Sequence, residues 1–106
     1  MRIVFLTSAR VDLQWFRRYY ESVFPQGAEQ AKVHYHRTLT LLREHPFAGR
    51  PTMVPGERQL TVPKTPFFVV YRVADEQIEV LHIEDGRSNR APGNPAGQPD
   101  RENDAT

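Results

Sequence analysis

Arginine side chains are the groups in this sequence best suited to binding or catalysis. Of the 14 basic side chains only Lys32 and Lys64 are lysines, so the other twelve are arginines. The planar guanidinium donates paired hydrogen bonds to carboxylates and phosphates, and it is more weakly hydrated than an ammonium group. The formal net charge is only +1, which is too small to indicate nucleic-acid binding and fits an acidic protein partner equally well.

Histidine is the other candidate for chemistry, because an imidazole can act as a general base near neutral pH. His82 follows Ile78 and Val80 at a spacing of two in a predicted strand, so we expect it on their face, as a partly buried structural side chain. His34 and His36 lie two residues apart on a predicted helix and cannot share a metal. We predict neither a metal site nor a cofactor.

Length and composition exclude several classes of protein. A chain of 106 residues with 39% hydrophobic residues predicts one small domain. There is no cysteine, so disulfides and thiolate metal sites are excluded. No phosphate-binding loop, nucleophile elbow or zincin motif occurs. The first residues lack the pattern of a signal peptide, and no apolar run has the length of a membrane span, so we expect a soluble cytoplasmic protein.

Two amphipathic helices are predicted after a short strand at residues 2–6. Ser8 is the expected N-cap of the first helix, with Asp12 in its first turn. A break at residues 25–27 precedes the second helix, which ends before Pro46. The apolar positions predict two buried stripes, formed by Leu13, Phe16, Tyr20 and Val23 and by Ala28, Ala31, Tyr35, Leu39 and Leu42.

Strands are predicted in the second half of the chain. A loop rich in proline and glycine leads to a strand at residues 58–62, and residues 65–73 and 77–83 form a hairpin. The order strand, helix, helix, strand, strand, strand predicts an α+β fold: a helical hairpin on one face of a small, mainly antiparallel sheet. We assign residues 1–90 to this domain. Residues 91–106 are too poor in apolar groups to order and are predicted to be a disordered polar tail.

The second face of this sheet is also predicted to carry apolar side chains. Alternation places Phe68, Val70 and Arg72 there, together with Leu81 and Ile83. Either the chain's own tail or loop covers them, or a partner protein does, and exposed apolar patches usually mark partner sites. Arginines in the loop, strands and final turn would frame this surface. The predicted partner-binding residues are Arg50, Arg58, Phe68, Val70, Arg72, Leu81, Ile83, Arg87 and Arg90.

Five short motifs occur in a fixed order along the chain. They are A-x-x-D-L from Ala9 to Leu13, P-x-x-G-R from Pro46 to Arg50, G-x-R-x-L from Gly56 to Leu60, V-x-Y-R-V from Val69 to Val73, and I-E-V-L from Ile78 to Leu81 with a closing G-R at Gly86 and Arg87. Over residues 1–90 the sequence resembles the ParE/RelE superfamily of bacterial toxins. The resemblance implies a cognate antitoxin whose extended segment wraps the toxin. It also implies that the toxin forms either a homodimer or a hetero-oligomer with that antitoxin.

The resemblance allows two activities. RelE-like members cut messenger RNA on the ribosome without a metal, which requires a base, cations and an acid; here the candidates are Arg58, His82 and Arg87. Those members usually carry an arginine where this chain has Phe68, and a phenyl ring cannot neutralise a phosphate. The run from Thr65 through Tyr71 to Val73 is closer to ParE-like members, which inhibit DNA gyrase by protein contact.

We therefore expect a ParE-like gyrase inhibitor that is not an enzyme and has no membrane partner. One alternative is a RelE-like endoribonuclease whose partners are the ribosome and messenger RNA. Another is a non-toxic module with the same fold that only binds an antitoxin. The final Ile83-Glu84-Asp85-Gly86-Arg87 run departs from the leucine, histidine, glycine and arginine with which ParE-like members typically end.

Overall fold

The computed structural model describes residues 1–87, which form two helices and five strands. The helices are α1 (Thr7–Arg18) and α2 (Ala28–Glu44), joined by a π-helical turn at Tyr19–Val23 and a 3-10 turn at Pro25–Gly27. The strands are β1 (Arg2–Phe5), β2 (Arg50–Pro51), β3 (Glu57–Thr61), β4 (Phe67–Ala74) and β5 (Gln77–Asp85). The predicted disordered tail at residues 91–106 lies outside the described residues, as does Arg90.

All five strands belong to one mixed sheet with the order β1-β5-β4-β3-β2. β1 pairs in parallel with β5, and the other neighbours are antiparallel. β2 is only two residues long and was not predicted. The α+β prediction of two helices on a small sheet is confirmed.

Both helices pack on one face of the sheet, which we call the covered face. Phe16 of α1 stands edge-on to Phe67 of β4, with 4.6 Å between the ring centroids. Tyr35 and Leu42 of α2 join the same buried cluster. Each of these large apolar side chains contributes roughly 1.5–3 kcal/mol by burial, so the predicted stripes supply most of the driving force for this packing.

The first stripe ends earlier than predicted. Tyr20 is buried, but Val23 is 67% exposed because the π-helical turn adds a residue to the helical repeat and rotates the later side chains away from the core. The start of α1 also differs. Leu6 is the N-cap residue, and Ser8 lies inside the helix, where its hydroxyl bonds to β5 rather than to the helix N-terminus.

The β4–β5 hairpin is closed by a two-residue turn, Asp75 and Glu76. Both residues have positive φ, 54° and 59°, as a type I′ turn requires. The pairing of the two strands shifts at Val70 and Tyr71, which pair with His82 and Val80. A bulge is therefore present, and side chains after it face the other way from simple alternation.

The bulge overturns two predictions about β5. Ile83 was expected beside Leu81 on the second face of the sheet, but it pairs with Val69 and lies in the buried cluster with Ile78 and Val80. His82 was expected on the face of Ile78 and Val80, but its pairing with Val70 places it on the opposite face. One extra residue in a strand exchanges the faces of all residues that follow it.

Candidate functional site

The sheet face opposite the helices, here called the open face, is the candidate binding surface. The strand pairing assigns its members, since directly paired residues share a face. Within residues 1–87 no helix packs on it. Its residues are Arg2, Val4, Arg50, Glu57, Gln59, Thr61, Phe68, Val70, Arg72, Ala74, Gln77, Glu79, His82 and Glu84.

The apolar part of the open face is smaller than predicted. Val70 is 5% exposed and lies between its paired neighbours Gln59 and His82. Phe68 is only half-buried, and so is Leu81 in the bulge. A central apolar strip thus remains, but polar side chains flank it on both sides. This composition fits an amphipathic segment of a partner better than a purely apolar one.

Three arginines within residues 1–87 lie on the open face: Arg2, which donates to Gln77 Oε1 at 2.8 Å, and Arg72 and Arg50, which are nearer the apolar strip. Arg72 donates from Nε to Glu79 Oε1 at 2.7 Å, and about half of its side chain is exposed. The hydrogen bond from Arg72, and a second one from Gln77, hold the pKa of the Glu79 carboxyl below its usual value. Arg50 is exposed at the edge strand. With the Gln59 amide oxygen turned towards it, Arg50 donates to that oxygen at 3.0 and 3.2 Å. The guanidinium groups of Arg72 and Arg50 both retain donors for an acidic partner.

Helix α1 ties down the part of β5 that extends beyond β1. Ser8 Oγ donates to the Leu81 carbonyl at 2.6 Å. Asp12 Oδ2 accepts the Ile83 amide at 3.1 Å and lies 3.1 Å from His82 Nδ1. Ser8 was predicted as the N-cap and Asp12 in the first turn, but α1 has no acidic residue in its first turn. Both side chains bond to the exposed edge of β5 instead. The sequence signal was the A-x-x-D-L motif, which did not reveal where the carboxylate points.

The environment of His82 favours its protonated form. The hydrogen bond to Asp12 raises the pKa of His82 above its ordinary value of 6.5, while burial opposes this and the charges of Asp12, Glu84 and Glu57 support it. The imidazole therefore acts as a partly charged link between α1 and the sheet. This agrees with the expected structural role, although on the other face.

Arg58 does not frame the open face as predicted. It pairs with Tyr71 and extends to the covered side, where Nη1 donates to the Gly49 carbonyl at 2.7 Å and to the Phe47 carbonyl at 3.4 Å. Its guanidinium carbon lies 5.0 Å from the centroid of the Phe47 ring. Arg58 thus holds the loop after α2 against the sheet, because its donors match the carbonyls of that loop.

Arg87 is likewise on the helical side. It donates from Nε and Nη2 to the two Asp85 carboxylate oxygens, at 3.1 and 3.0 Å. Its Nη1 donates to the Tyr19 hydroxyl at 3.1 Å, and its guanidinium carbon lies 5.1 Å from the centroid of the Tyr19 ring. The placement of Arg87 on the rim of the open face is therefore wrong, because the bulge in β5 reverses the faces before the chain reaches it.

The three residues proposed for RNA cleavage are not assembled into one site. His82 faces the open side, whereas Arg58 and Arg87 contact the helical side. His82 contacts Asp12, Arg58 contacts the Phe47 and Gly49 carbonyls, and Arg87 contacts Asp85 and Tyr19. Among these contacts no two of the three residues share a partner, whereas catalytic groups must reach the same reacting atoms. Among residues 1–87 no cluster of three histidine or acidic side chains is arranged to hold a metal ion.

A groove of about 380 Å³ lies between the helices. Its floor contains Phe16, Tyr20 and Tyr35, and Arg17 and Lys32 line its rim. Burial raises the pKa of Tyr35 to about 12, so this phenol stays neutral. The sequence analysis assigned Phe16, Tyr20 and Tyr35 to the core, and all three belong to the buried cluster.

Comparison with known proteins now assigns the family. Residues 3–90 match the family described as the ParE toxin of type II toxin-antitoxin system, parDE, and the chain belongs to that family. It is also similar to a solved structure titled "Chromosomal ParDE TA system from P. aeruginosa", with 30% identity and a TM-score of 0.67, over 80% of this chain and 95% of that one. A search of the curated proteins finds no match. The predicted resemblance, closer to ParE than to RelE, is confirmed.

The chain is thus a ParE toxin of a type II toxin-antitoxin system. Membership in a ParDE-type system implies an antitoxin partner. No helix within residues 1–87 has both the length and the apolar character needed to cross a bilayer.

Proposed function

We propose that this toxin inhibits DNA gyrase by protein contact, and that the open face binds the segment of the cognate antitoxin that neutralises it. The observation that supports antitoxin binding is the open face itself: the half-buried Phe68 and the more deeply buried Val70, with Leu81 in the adjoining bulge, beside the exposed guanidinium groups of Arg50 and Arg72. An amphipathic peptide with alternating apolar and acidic residues would bury the strip and pair with both arginines.

The charge pattern of the open face supports an acidic partner in a specific place. Arg72 is held by Glu79 and so is already aimed outward from β4. Glu84 and His82 lie at the other end of the strip. Glu57 of β3 lies directly opposite Arg72. The acidic groups of the partner should therefore lie over Arg50 in β2 and over Arg72 in β4, and its apolar groups over Phe68 towards the other end of β4.

Antitoxin binding can be tested with the product of the adjacent open reading frame. We expect Arg72→Ala and Phe68→Ser each to weaken the complex by about tenfold or more, because both side chains would be buried in it. Arg43→Ala is the matched control, since Arg43 is an exposed arginine on α2. Unchanged affinity for both open-face variants, measured by calorimetry, would show that the antitoxin binds elsewhere.

Gyrase inhibition can be tested by adding the purified chain to gyrase and relaxed plasmid. We expect supercoiling to stop, and to resume when the antitoxin is added first. A toxin that leaves supercoiling intact but cleaves translated messenger RNA, seen by primer extension, would instead be a RelE-like ribonuclease. A chain that does neither and still binds the antitoxin would be a non-toxic binding module.

A further inference from the structure

The connection between β2 and β3 forms a rigid hairpin tip, defined here as residues 52–57. The Thr52 amide donates to the Glu57 carbonyl at 2.9 Å, and the Glu57 amide to the Val54 carbonyl at 3.0 Å. The Thr52 hydroxyl donates to Glu57 Oε1 at 2.8 Å and accepts the Val54 amide at 3.1 Å. Pro55 followed by Gly56 at φ +81° fits a type II turn. The tip is therefore held in a single shape.

This rigid tip presents apolar side chains to water. Met53 is 92% exposed and Val54 is 46% exposed, and neither belongs to the buried cluster. Phe47, in the loop held by Arg58, is 62% exposed. The hydrogen bonds of the tip join Thr52, Val54 and Glu57 and involve no atom of the Met53 side chain, so the tip does not need a methionine there for its own stability. Methionine is well suited to fill a pocket of irregular shape on another protein.

We propose that the hairpin tip is the part of the toxin that contacts its target, with Met53 and Val54 inserting into an apolar pocket with an acidic rim. This assignment rests on the proposed function and takes gyrase as the target. The acidic rim follows from Arg50, which is exposed in β2 and leads into the tip. Arg58, the first residue after the tip, is turned to the covered side and already donates to the Gly49 and Phe47 carbonyls. A docked tip would bring the Arg50 guanidinium close to carboxylates of the partner.

The hairpin tip is less suited to binding a second copy of this chain than to binding a pocket on a target protein. The tip presents two apolar side chains, whereas a stable dimer buries several hundred Å² on each subunit. A small apolar projection can still account for much of an affinity when it fills a preformed pocket, since a few residues dominate most interfaces. The rigidity of the tip favours this mode, because little conformational freedom is lost on binding.

The location of the tip also suggests how neutralisation works. Arg50 belongs both to the open face and to the strand that leads into the tip. An antitoxin segment that pairs with Arg50 would occupy the base of the tip and exclude the target. Antitoxin and target would then compete, although they contact different apolar residues.

The test uses supercoiling inhibition by single variants of the full chain. We expect Met53→Gln and Val54→Ser each to raise the concentration needed for half inhibition by about tenfold or more, and Met53→Leu to retain activity. Val33→Ser is the matched control, because Val33 is 44% exposed on α2, and it should inhibit like the wild type. Antitoxin affinity and the melting temperature should be unchanged in all four variants.

The outcomes separate this proposal from the broader one. If the wild type and Met53→Gln inhibit gyrase equally, the tip is not the target contact and the gyrase function stands. If the wild type does not inhibit gyrase, the proposed function fails, and this assignment fails with it. If Met53→Gln loses both inhibition and antitoxin binding, the tip belongs to the antitoxin site, and the assignment to the target is overturned.

Discussion

The two faces of the sheet are made from alternate residues of the same strands but differ in composition and in what covers them. Phe67 and Phe68 show the contrast: the first is 1% exposed among four aromatic rings of α1 and its π-helical turn, and the second lies half-buried across from Glu84. The covered face is apolar and closed by the chain itself. The open face keeps a short apolar strip between charged groups, which is the pattern that the proposed binding of an antitoxin segment requires.

The largest difference should appear when each phenylalanine is truncated. We expect Phe67→Ala to lower the free energy of unfolding by about 4 kcal/mol, because it leaves a cavity in the core. Phe68→Ala should cost less than about 1 kcal/mol. Denaturant melts of both variants measure the two values, and similar losses would contradict the division into a structural face and a binding face.

A smaller loss is expected at the place where the covered face anchors the loop. The hydroxyl of Tyr71, which is fully buried, accepts the Gly49 amide at 2.9 Å. Tyr71→Phe leaves that buried amide without a partner and should cost about 2 kcal/mol. The matched control is Tyr19→Phe, whose hydroxyl accepts a hydrogen bond from the half-exposed Arg87, and it should cost less than about 0.5 kcal/mol.

The β4–β5 turn, which holds both faces in register, should gain stability from one substitution. Glu76 has φ of 59°, a left-handed conformation that costs a residue with a side chain about 1 kcal/mol relative to glycine. We expect Glu76→Gly to raise the free energy of unfolding by about 1 kcal/mol. Glu76→Ala should bring no such gain, because alanine pays the same steric cost. A gain with alanine would assign the effect to charge rather than to backbone strain.

The smallest effect should be the pH dependence of the link between α1 and His82. Since the folded-state pKa of His82 is raised, its contribution is present at low pH and is lost as the pH rises through the folded pKa. The pair is partly exposed, so we expect about 0.5 kcal/mol. The cost of Asp12→Asn should be greater at about pH 5.5 than at about pH 8. An equal cost at both values would mean that only the Ile83 amide depends on Asp12.

Local sequence patterns were enough to predict most of the elements, because the stripes of α2 and the alternation of β3 and β4 report directly on burial. The predictions failed where one extra residue shifted the periodicity of a helix or a strand. The π-helical turn displaced Val23 from the core, and the bulge at Leu81 moved Ile83 into it and reversed the side of His82. Neither irregularity has a signature in the residues themselves, because each results from packing between distant segments.

The candidate site was predicted in part for the same reason. Phe68, Val70 and Arg72 lie in β4, which carries no extra residue because the bulge is in β5, so alternation located them correctly. Arg58 and Arg87 were assigned by residue type alone, and their bonds to the Gly49 carbonyl and to Asp85 depend on contacts that a spacing rule does not contain. Met53 lay in a loop defined by proline and glycine, where no periodicity shows which side chains face outward.

The parallel pairing of β1 with β5 has a consequence for the synthesis of this protein. Arg2 pairs with Gln77, and Phe5 with Val80, so the first strand to leave the ribosome must wait for the last before the sheet can close. Pairings so distant in sequence form late and slowly. A nascent chain that lacks β5 has no partner for β1 and no edge for Asp12 to bind. The folded domain, and with it both faces of the sheet, should therefore form only when translation of β5 is complete.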